Sequence, residues 1–430
     1  MSLFEKTMSG FDNYFKQKAN LSEDYFDKGI KSYSEFTNES VALSGTKSPL
    51  IIEFNEDDLE RYFSPSPLRF KDITIGTHPD FEQLKHDETD QHYAVALFMD
   101  IKGSTRLINV AADLEELRRL KDTILTLAIN VCNYFGGHVQ RLQGDGIFVL
   151  FSRKNYEPND AIIGSLNAAS VLTYFIKYEL SPRLNRLNMG GDIKIRTGID
   201  YGKTQDVLWS HYGIPGCAEL TTTSLHTDLA AKLQQKASSN GIMIGDNIVR
   251  ALDLENYYFP KTYVENGETK EDDHYRVSNS RKYKIWKFDW EAFLVGSYST
   301  CFKVQNGIEF RRPSKRLRCV RRDNGYEYFE NSYSLPKGIE LEFTILDQTG
   351  SPLNNYPKEN ITWKIRNTGK EADGDENREM DIENSKDNIK VVANTSYLGH
   401  HKMVCTVGRI PNKTVLEFHV FVSPDKLLSA

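Results

Sequence analysis

Long hydrophobic runs, paired cysteines and a large excess of charge are all missing from this chain. No stretch of roughly 18 apolar residues occurs, about the least that a membrane-crossing helix needs. Residues 1–15 place charges between their aromatics and hold no apolar core of a secretory leader. Neither secretion nor membrane spanning is therefore expected. Cys132, Cys217, Cys301, Cys319 and Cys405 are scattered, odd in number and without Cys-x-x-Cys spacing, which speaks against a disulfide framework or a zinc site. A reducing cytoplasm fits such a set. The net charge of −6 gives no general drive toward nucleic acid or anionic lipid, and neither is an expected partner. Internal repeats are absent too.

What is present is a chain of 430 residues, 39% hydrophobic and 11% aromatic, long enough for two or three domains with real cores. Residues 1–90 read as an N-terminal helical arm and connector. Phe4, Met8, Phe11 and Phe15 fall at loosely helical spacing, and Ser64-Pro65-Ser66-Pro67 is rich in turn formers. One or two amphipathic helices there would pack on the main domain or on a partner subunit.

Residues 91–292 follow a regular pattern. A strand is expected over 93–99, then a helix over 105–135 with Leu107, Leu114, Leu117, Leu120, Ile124 and Leu127 as its apolar stripe. Gly136-Gly137 ends it, and a hairpin follows over 138–151. A helix over 161–178 stops before Pro182; a strand over 193–199, a helix over 224–236 and strands over 242–244 and 283–288 complete the set. This β-α-β-β-α-β order predicts a ferredoxin-like α+β domain, a mixed sheet with helices on one face. Residues 293–325 read as a basic linker, dense in arginine from Arg311 to Arg322, where a solvated run is a simpler account than a polyanion site. Residues 326–430 read as a small all-β sandwich, with short strands near 339–346, 361–365, 390–393, 403–407 and 416–421. The acidic piece 370–386 reads as a loose loop.

Two carboxylates in the second segment stand where a strand ends beside a turn. Asp100 closes the apolar run Tyr93–Met99 and opens Ile101-Lys102-Gly103-Ser104-Thr105; Asp145 lies in Gln143-Gly144-Asp145-Gly146. Carboxylates on rigid strand ends beside a small-residue loop suit two Mg²⁺ or Mn²⁺ ions carrying a polyphosphate. Singly, each has a plainer reading: Gly-Asp-Gly is a common hairpin turn and Asp100 a helix-capping carboxylate. Their joint placement in one β-α-β-β unit favours the metal reading.

The order of motifs resembles class III nucleotidyl cyclases. Phe98–Thr105 is similar to the family's first metal motif, and Gly144-Asp145-Gly146, with Asp145 45 residues after Asp100, to its second. Ile195–Gly202 resembles the family strand Arg-x-Gly-Ile-x-x-Gly, and Asp228–Leu233 the helix segment Asn-x-Ala-x-Arg. The resemblance implies attack of a ribose 3′-hydroxyl on the α-phosphorus of a nucleoside triphosphate, giving a 3′,5′-cyclic monophosphate and pyrophosphate. It implies that Asp100, Asp145 and the Ile101 carbonyl bind two metal ions. Lys102, Gly103, Ser104 and Thr105 would hold the triphosphate, and Asp228 and Lys232 would serve catalysis. A homodimer with composite sites is also implied. Asp228 and Lys232, four residues apart on a helix, fit a surface ion pair equally well.

This chain departs from the purine cyclases at the base pocket. Arg141 stands where family adenylate cyclases have Lys, and Thr221 near where they have Asp. Losing that pair argues against ATP, and a bulkier Arg suits a smaller ring. Trp363–Ala372 and Thr395–Cys405 resemble the AGS-C sensor domain of bacterial defence cyclases. The combination resembles the pyrimidine cyclases of Pycsar anti-phage systems, implied to make cUMP or cCMP for a separate effector. Arg141 can donate to uracil O4 or to cytosine N3 and O2, so it leaves the base open; UTP is preferred slightly, as the commoner substrate of that family. An ordinary adenylate or guanylate cyclase and a non-catalytic nucleotide sensor are the alternatives.

Overall fold

The computed structural model describes residues 3–9, 12 and 54–424, apart from 104–113, 187–192, 261, 266–267, 272–273, 277–281, 298–300, 306, 311–312, 354–355, 373, 383–387 and 410. After a short strand β1 (Thr89–Gln91), β2 (Ala94–Lys102) runs through the middle of the main sheet. Its residues alternate between faces. Val95, Leu97, Met99 and Ile101 enter the largest core, while Ala94, Ala96 and Phe98 pack into a smaller one on the opposite face. Asp100 shares the second face by the same alternation. Helix α1 (Leu114–Tyr134) buries Leu117, Leu120, Ile124, Leu127 and Val131 at helical spacing; the stretch from Ser104 to Ala112, where its start was expected, is outside the described residues.

Strands β3 (His138–Gln143) and β4 (Gly146–Phe151) form the expected hairpin. Helix α2 (Asn159–Tyr174) is buried on nearly every side. It does not stop before Pro182. A π-helical turn at Phe175–Leu180 shifts the phase, and Pro182 then sits in the first turn of a new helical segment, Ser181–Arg186, where its missing N–H costs nothing. Strand β5 (Lys194–Gly202) follows. Next comes a hairpin that the sequence reading passes over, β6 (Leu208–Ile214) and β7 (Cys217–Thr223), whose polar residues hide its strand character.

Helix α3 (Leu225–Lys236), β8 (Gly241–Gly245), α4 (Asp246–Leu252), β9 (His274–Arg276) and β10 (Lys282–Phe288) complete the domain. The sheet order is β9-β10-β8-β5-β2-β4-β3, and β5-β2-β4-β3 within it is the ferredoxin-like antiparallel core. The domain is α+β, with one difference from expectation. Helices cover both faces: α1 and α2 share the large core with β2, whereas Ala230 and Leu233 of α3 belong to the smaller cores.

The segment expected to be a basic linker is structured instead. Residues 301–304 and 307–310 pair as a hairpin, and β11 (Lys315–Arg321) is an inner strand of the sandwich. Leu317 and Cys319 point into the core, while Arg318 faces outward onto Glu327 and Arg321, at the strand end, pairs with Asp323. Charge on one face concealed a period-2 strand. The sandwich stacks two sheets: residues 327–328, β11, β12 (Glu340–Asp347) and β15 (Lys390–Asn394) on one side, and β14 (Glu379–Ile382), β13 (Ile361–Arg366), β16 (Gly399–Val407) and β17 (Thr414–Val422) on the other. The expected acidic loop is corrected as well: Asp375–Arg378 is helical and β14 pairs with β13, where Glu379 meets Lys364 and Arg366. At the other end of the chain, Leu3, Phe4 and Met8 are buried in the main core, and Phe4 meets Phe175 edge-on at 5.0 Å. None of the described helices is long and apolar enough to cross a membrane.

Candidate functional site

The turn that carries Asp145 lies beside Asp100 because β2 and β4 are neighbours. Met99 pairs with Ile147, which leaves the turn of the β3–β4 hairpin beside Asp100. A Cβ placed on Gly146 would lie 2.8 Å from the Met99 carbonyl oxygen and 3.6 Å from Asp100 Oδ1, so only glycine fits between strand and turn. Gly144 has φ +63° and closes the turn without strain. Asp100 Oδ2 accepts from Arg196 Nη2 at 2.7 Å and from Gln234 Nε2 at 3.4 Å. Arg196 comes from the cross-strand position on β5, Gln234 from α3.

Asp145 differs: its Oδ2 is buried and takes no hydrogen bond. An ionised oxygen enclosed without a donor is costly unless a cation compensates it. Asp145, Asp100 and the main-chain oxygen of Ile101 thus fit a divalent ion. Among the described residues no group of three or more His, Cys, Asp or Glu side chains is arranged to hold a metal ion, so one chain offers these two carboxylates with backbone. Lys102 is exposed and Gly103 has φ +80°; Ser104 and Thr105 lie outside the described residues.

A second constellation forms where β3 crosses β7. The pairing of β3 with β4 shifts register between Val139 and Arg141, a bulge at Gln140. Such an extra residue breaks strict alternation, and here both Gln140 and Arg141 reach β7. Gln140 Nε2 donates to the Leu220 carbonyl at 2.7 Å and to Glu219 Oε1 at 3.3 Å. Arg141 Nε donates to Glu219 Oε1 at 3.0 Å, and its Nη2 to Glu219 Oε2. Thr221 is buried two residues further along β7, on the face of Glu219.

Helix α3 carries the remaining candidates. Ser224 caps it by accepting from the His226 amide at 3.2 Å. Asp228 and Lys232 are both exposed on it. Its inner side holds a different acid–base pair. The fully buried Asp200 accepts from His226 Nδ1 at 2.8 Å, Tyr283 Oη at 2.9 Å and the Tyr201 amide at 2.9 Å. Burial pushes the Asp200 carboxyl up, and these donors pull it part of the way back. Both carboxylate oxygens are satisfied within the fold, so this cluster holds α3 to β5 and β10.

The comparisons with known proteins fall on both domains. Residues 288–422 match the adenylyl/guanylyl and SMODS C-terminal sensor domain, AGS_C. A cytidylate cyclase from Staphylococcus aureus is 35% identical over 94% of this chain and 96% of its own length. The chain belongs to the Pycsar-type nucleotide cyclases with a C-terminal AGS-C domain. A cytidylate cyclase from Escherichia coli is 31% identical over 95% of this chain and 91% of its own. The adenylyl cyclase CyaB from P. aeruginosa covers 47% of the chain and 95% of its own, at 18% identity and a TM-score of 0.38.

Within this cyclase, Asp100 and the turn that carries Asp145 are neighbours, and Arg141 pairs with Glu219 of β7, the strand that carries Thr221. Asp228 and Lys232 share one exposed turn of α3. Three residues beside these candidates have no site role in the sequence reading: Arg196, there only part of the strand Ile195–Gly202, Gln234 and Glu219. Arg196 sits opposite Asp100 in a strand pair that the family motif could have signalled. Gln234 and Glu219 carry no local signal, because their partners are 134 and 78 residues away.

Proposed function

We propose that this nucleotide cyclase converts CTP to 3′,5′-cyclic CMP and pyrophosphate, at composite sites of a homodimer. The observation that carries the reaction is the pair Asp100 and Asp145, one of whose buried oxygens has no donor. The choice of base follows the near full-length likeness to chains named cytidylate cyclase, and moves the reading from UTP to CTP. Two Mg²⁺ or Mn²⁺ ions, when bound, would lower the pKa of the ribose 3′-hydroxyl and neutralise the leaving pyrophosphate. Asp100 and Asp145, with the Ile101 carbonyl, would hold them.

The chain's own groups do the rest. Arg196 and Gln234 orient Asp100. Lys102 to Thr105 bind the triphosphate through amides and charge. Arg141 and Thr221 contact the cytosine, and Lys232, supported by Asp228, places a positive charge on the pentavalent phosphorus. As a Lys it neutralises without the bidentate grip of an Arg. The product would act in the cytoplasm as a second messenger for a separate effector in phage defence, with the AGS-C domain setting when it is made.

The test incubates purified full-length chain with each of the four nucleoside triphosphates and Mn²⁺, and separates the products chromatographically. Cyclic CMP is expected as the main product. Cyclic AMP or GMP would overturn the pyrimidine reading. No cyclic product, even with extract of infected cells, would leave a nucleotide-binding sensor in its place.

A further inference from the structure

We infer that Glu219 is the residue that makes this site choose cytosine over uracil, by fixing which edge of Arg141 faces the base. The inference rests on the reading of Arg141 as a base contact and deepens it. A guanidinium has five N–H donors in a planar fork. Glu219 takes the side edge, Nε and Nη2, in a two-point pair. What stays open is the outer edge, two parallel N–H bonds from Nη1 and Nη2. The Arg141 side chain is 41% exposed, so this edge is reachable.

Two parallel donors need two adjacent acceptors. Cytosine has them in O2 and N3. Uracil carries a hydrogen on N3 between its two carbonyl groups, so the same fork meets a donor wherever it spans N3 and an oxygen. Free to rotate, Arg141 would serve either base by donating to a single carbonyl. Held by Glu219, it fits only cytosine with both donors. Guanine offers a comparable pair at O6 and N7, but on a purine, so the inference concerns the choice between pyrimidines.

Glu219 is itself fixed. Gln140 donates to its Oε1 at 3.3 Å, and Gln140 is tied to the β7 backbone at 2.7 Å. The β3 bulge is what brings both donors to one carboxylate. Glu219 is thus a positioning residue: it acts on the base through Arg141.

The experiment compares wild-type chain with Glu219→Ala and Glu219→Gln. Equilibrium binding of CTP and of UTP is measured with Ca²⁺, and kcat and KM for each with Mn²⁺. Wild type should prefer CTP. Glu219→Ala should lose about tenfold in the CTP/UTP ratio, the order of one bidentate base contact, mainly through a higher KM for CTP. Glu219→Gln keeps one acceptor oxygen and should restore part of the ratio. An unchanged ratio in Glu219→Ala overturns the inference, as does an equal loss for both nucleotides or a wild type that binds them alike. A wild type that binds CTP selectively but cyclises nothing removes the cyclase reading and leaves this one standing.

Discussion

Asp145 is the residue at which fold and chemistry conflict. A turn with Gly on either side needs no carboxylate, and Asp145 Oδ2 is buried without a hydrogen bond. Such an atom destabilises the chain until something positive reaches it. Asp145→Asn should therefore abolish turnover without lowering the melting temperature measured in EDTA. In the proposed role of an anionic metal ligand, its loss would remove several kcal/mol of transition-state stabilisation, or about 100-fold or more in rate. Mn²⁺ should raise the melting temperature of wild type, and that gain should vanish in the variant. Asp100→Asn should also lose activity, and being hydrogen-bonded to Arg196 it should lower stability even in EDTA. Full activity in either variant would remove that residue from the site. Both aspartates were legible in the sequence because each belongs to a short local motif. Glu219 and Gln234 were not, since the contacts that give them meaning exist only once β7 and α3 have docked.

At the scale of elements, the approach of α3 to β5 positions the site. Gly198 makes it possible: a Cβ there would lie 2.1 Å from the Gln234 amide nitrogen and 2.3 Å from the Ala230 carbonyl oxygen. Both are backbone atoms, so the helix as a whole would have to move. Gly198→Ala should cost about 1–3 kcal/mol in overpacking and shift Gln234 away from Asp100. The result expected is a lower melting temperature together with at least a tenfold loss of kcat, with nucleotide binding less affected. A variant as stable and active as wild type would show that α3 has slack. Regular elements with apolar stripes, such as α1, could be read from their periodicity. β11 could not, because arginines on its outer face mask the inward Leu317 and Cys319. Neither could the β6–β7 hairpin, whose stabilising contacts come from β1 and the sheet rather than from its own composition.

For the whole molecule, the question is what couples the sandwich to the cyclase domain, and the answer is a polar seam. Asp160 of α2 accepts from the Ser334 amide and hydroxyl, both at 2.6 Å, and Asn167 donates to the Asn331 carbonyl at 2.9 Å. Lys402 pairs with Glu255 at 3.4 Å, and Phe421 enters the main core. Behind this seam lie two buried histidines. His400 Nε2 is 3.1 Å from Asn331 Oδ1, while neither ring nitrogen of His419 makes a hydrogen bond. Glu330 Oε1 lies 3.5 Å from His419 Nδ1 but accepts from the His419 amide instead. Burial therefore dominates, with the Lys402 charge adding to it, and the His419 imidazole is pushed down to about 3; His400 is pushed down too. In the unfolded chain both titrate near 6.5. Between those values the unfolded state binds more protons, so their stabilising neutrality is complete above about pH 6.5 and is lost as pH falls below it. The slope is about 1.4 kcal/mol per pH unit for each histidine. Asp200, whose carboxyl burial raises, works in the opposite sense over the acid end of the same range. Thermal unfolding followed from pH 7.5 to 5 should show a steep loss of stability below pH 6.5. His419→Leu removes one of the two groups and gives up no side-chain hydrogen bond, so its curve should be flatter and its melting temperature at pH 5.5 higher than wild type. Parallel curves for the two proteins would mean that His419 is not held neutral and that the seam does not sense acid through it.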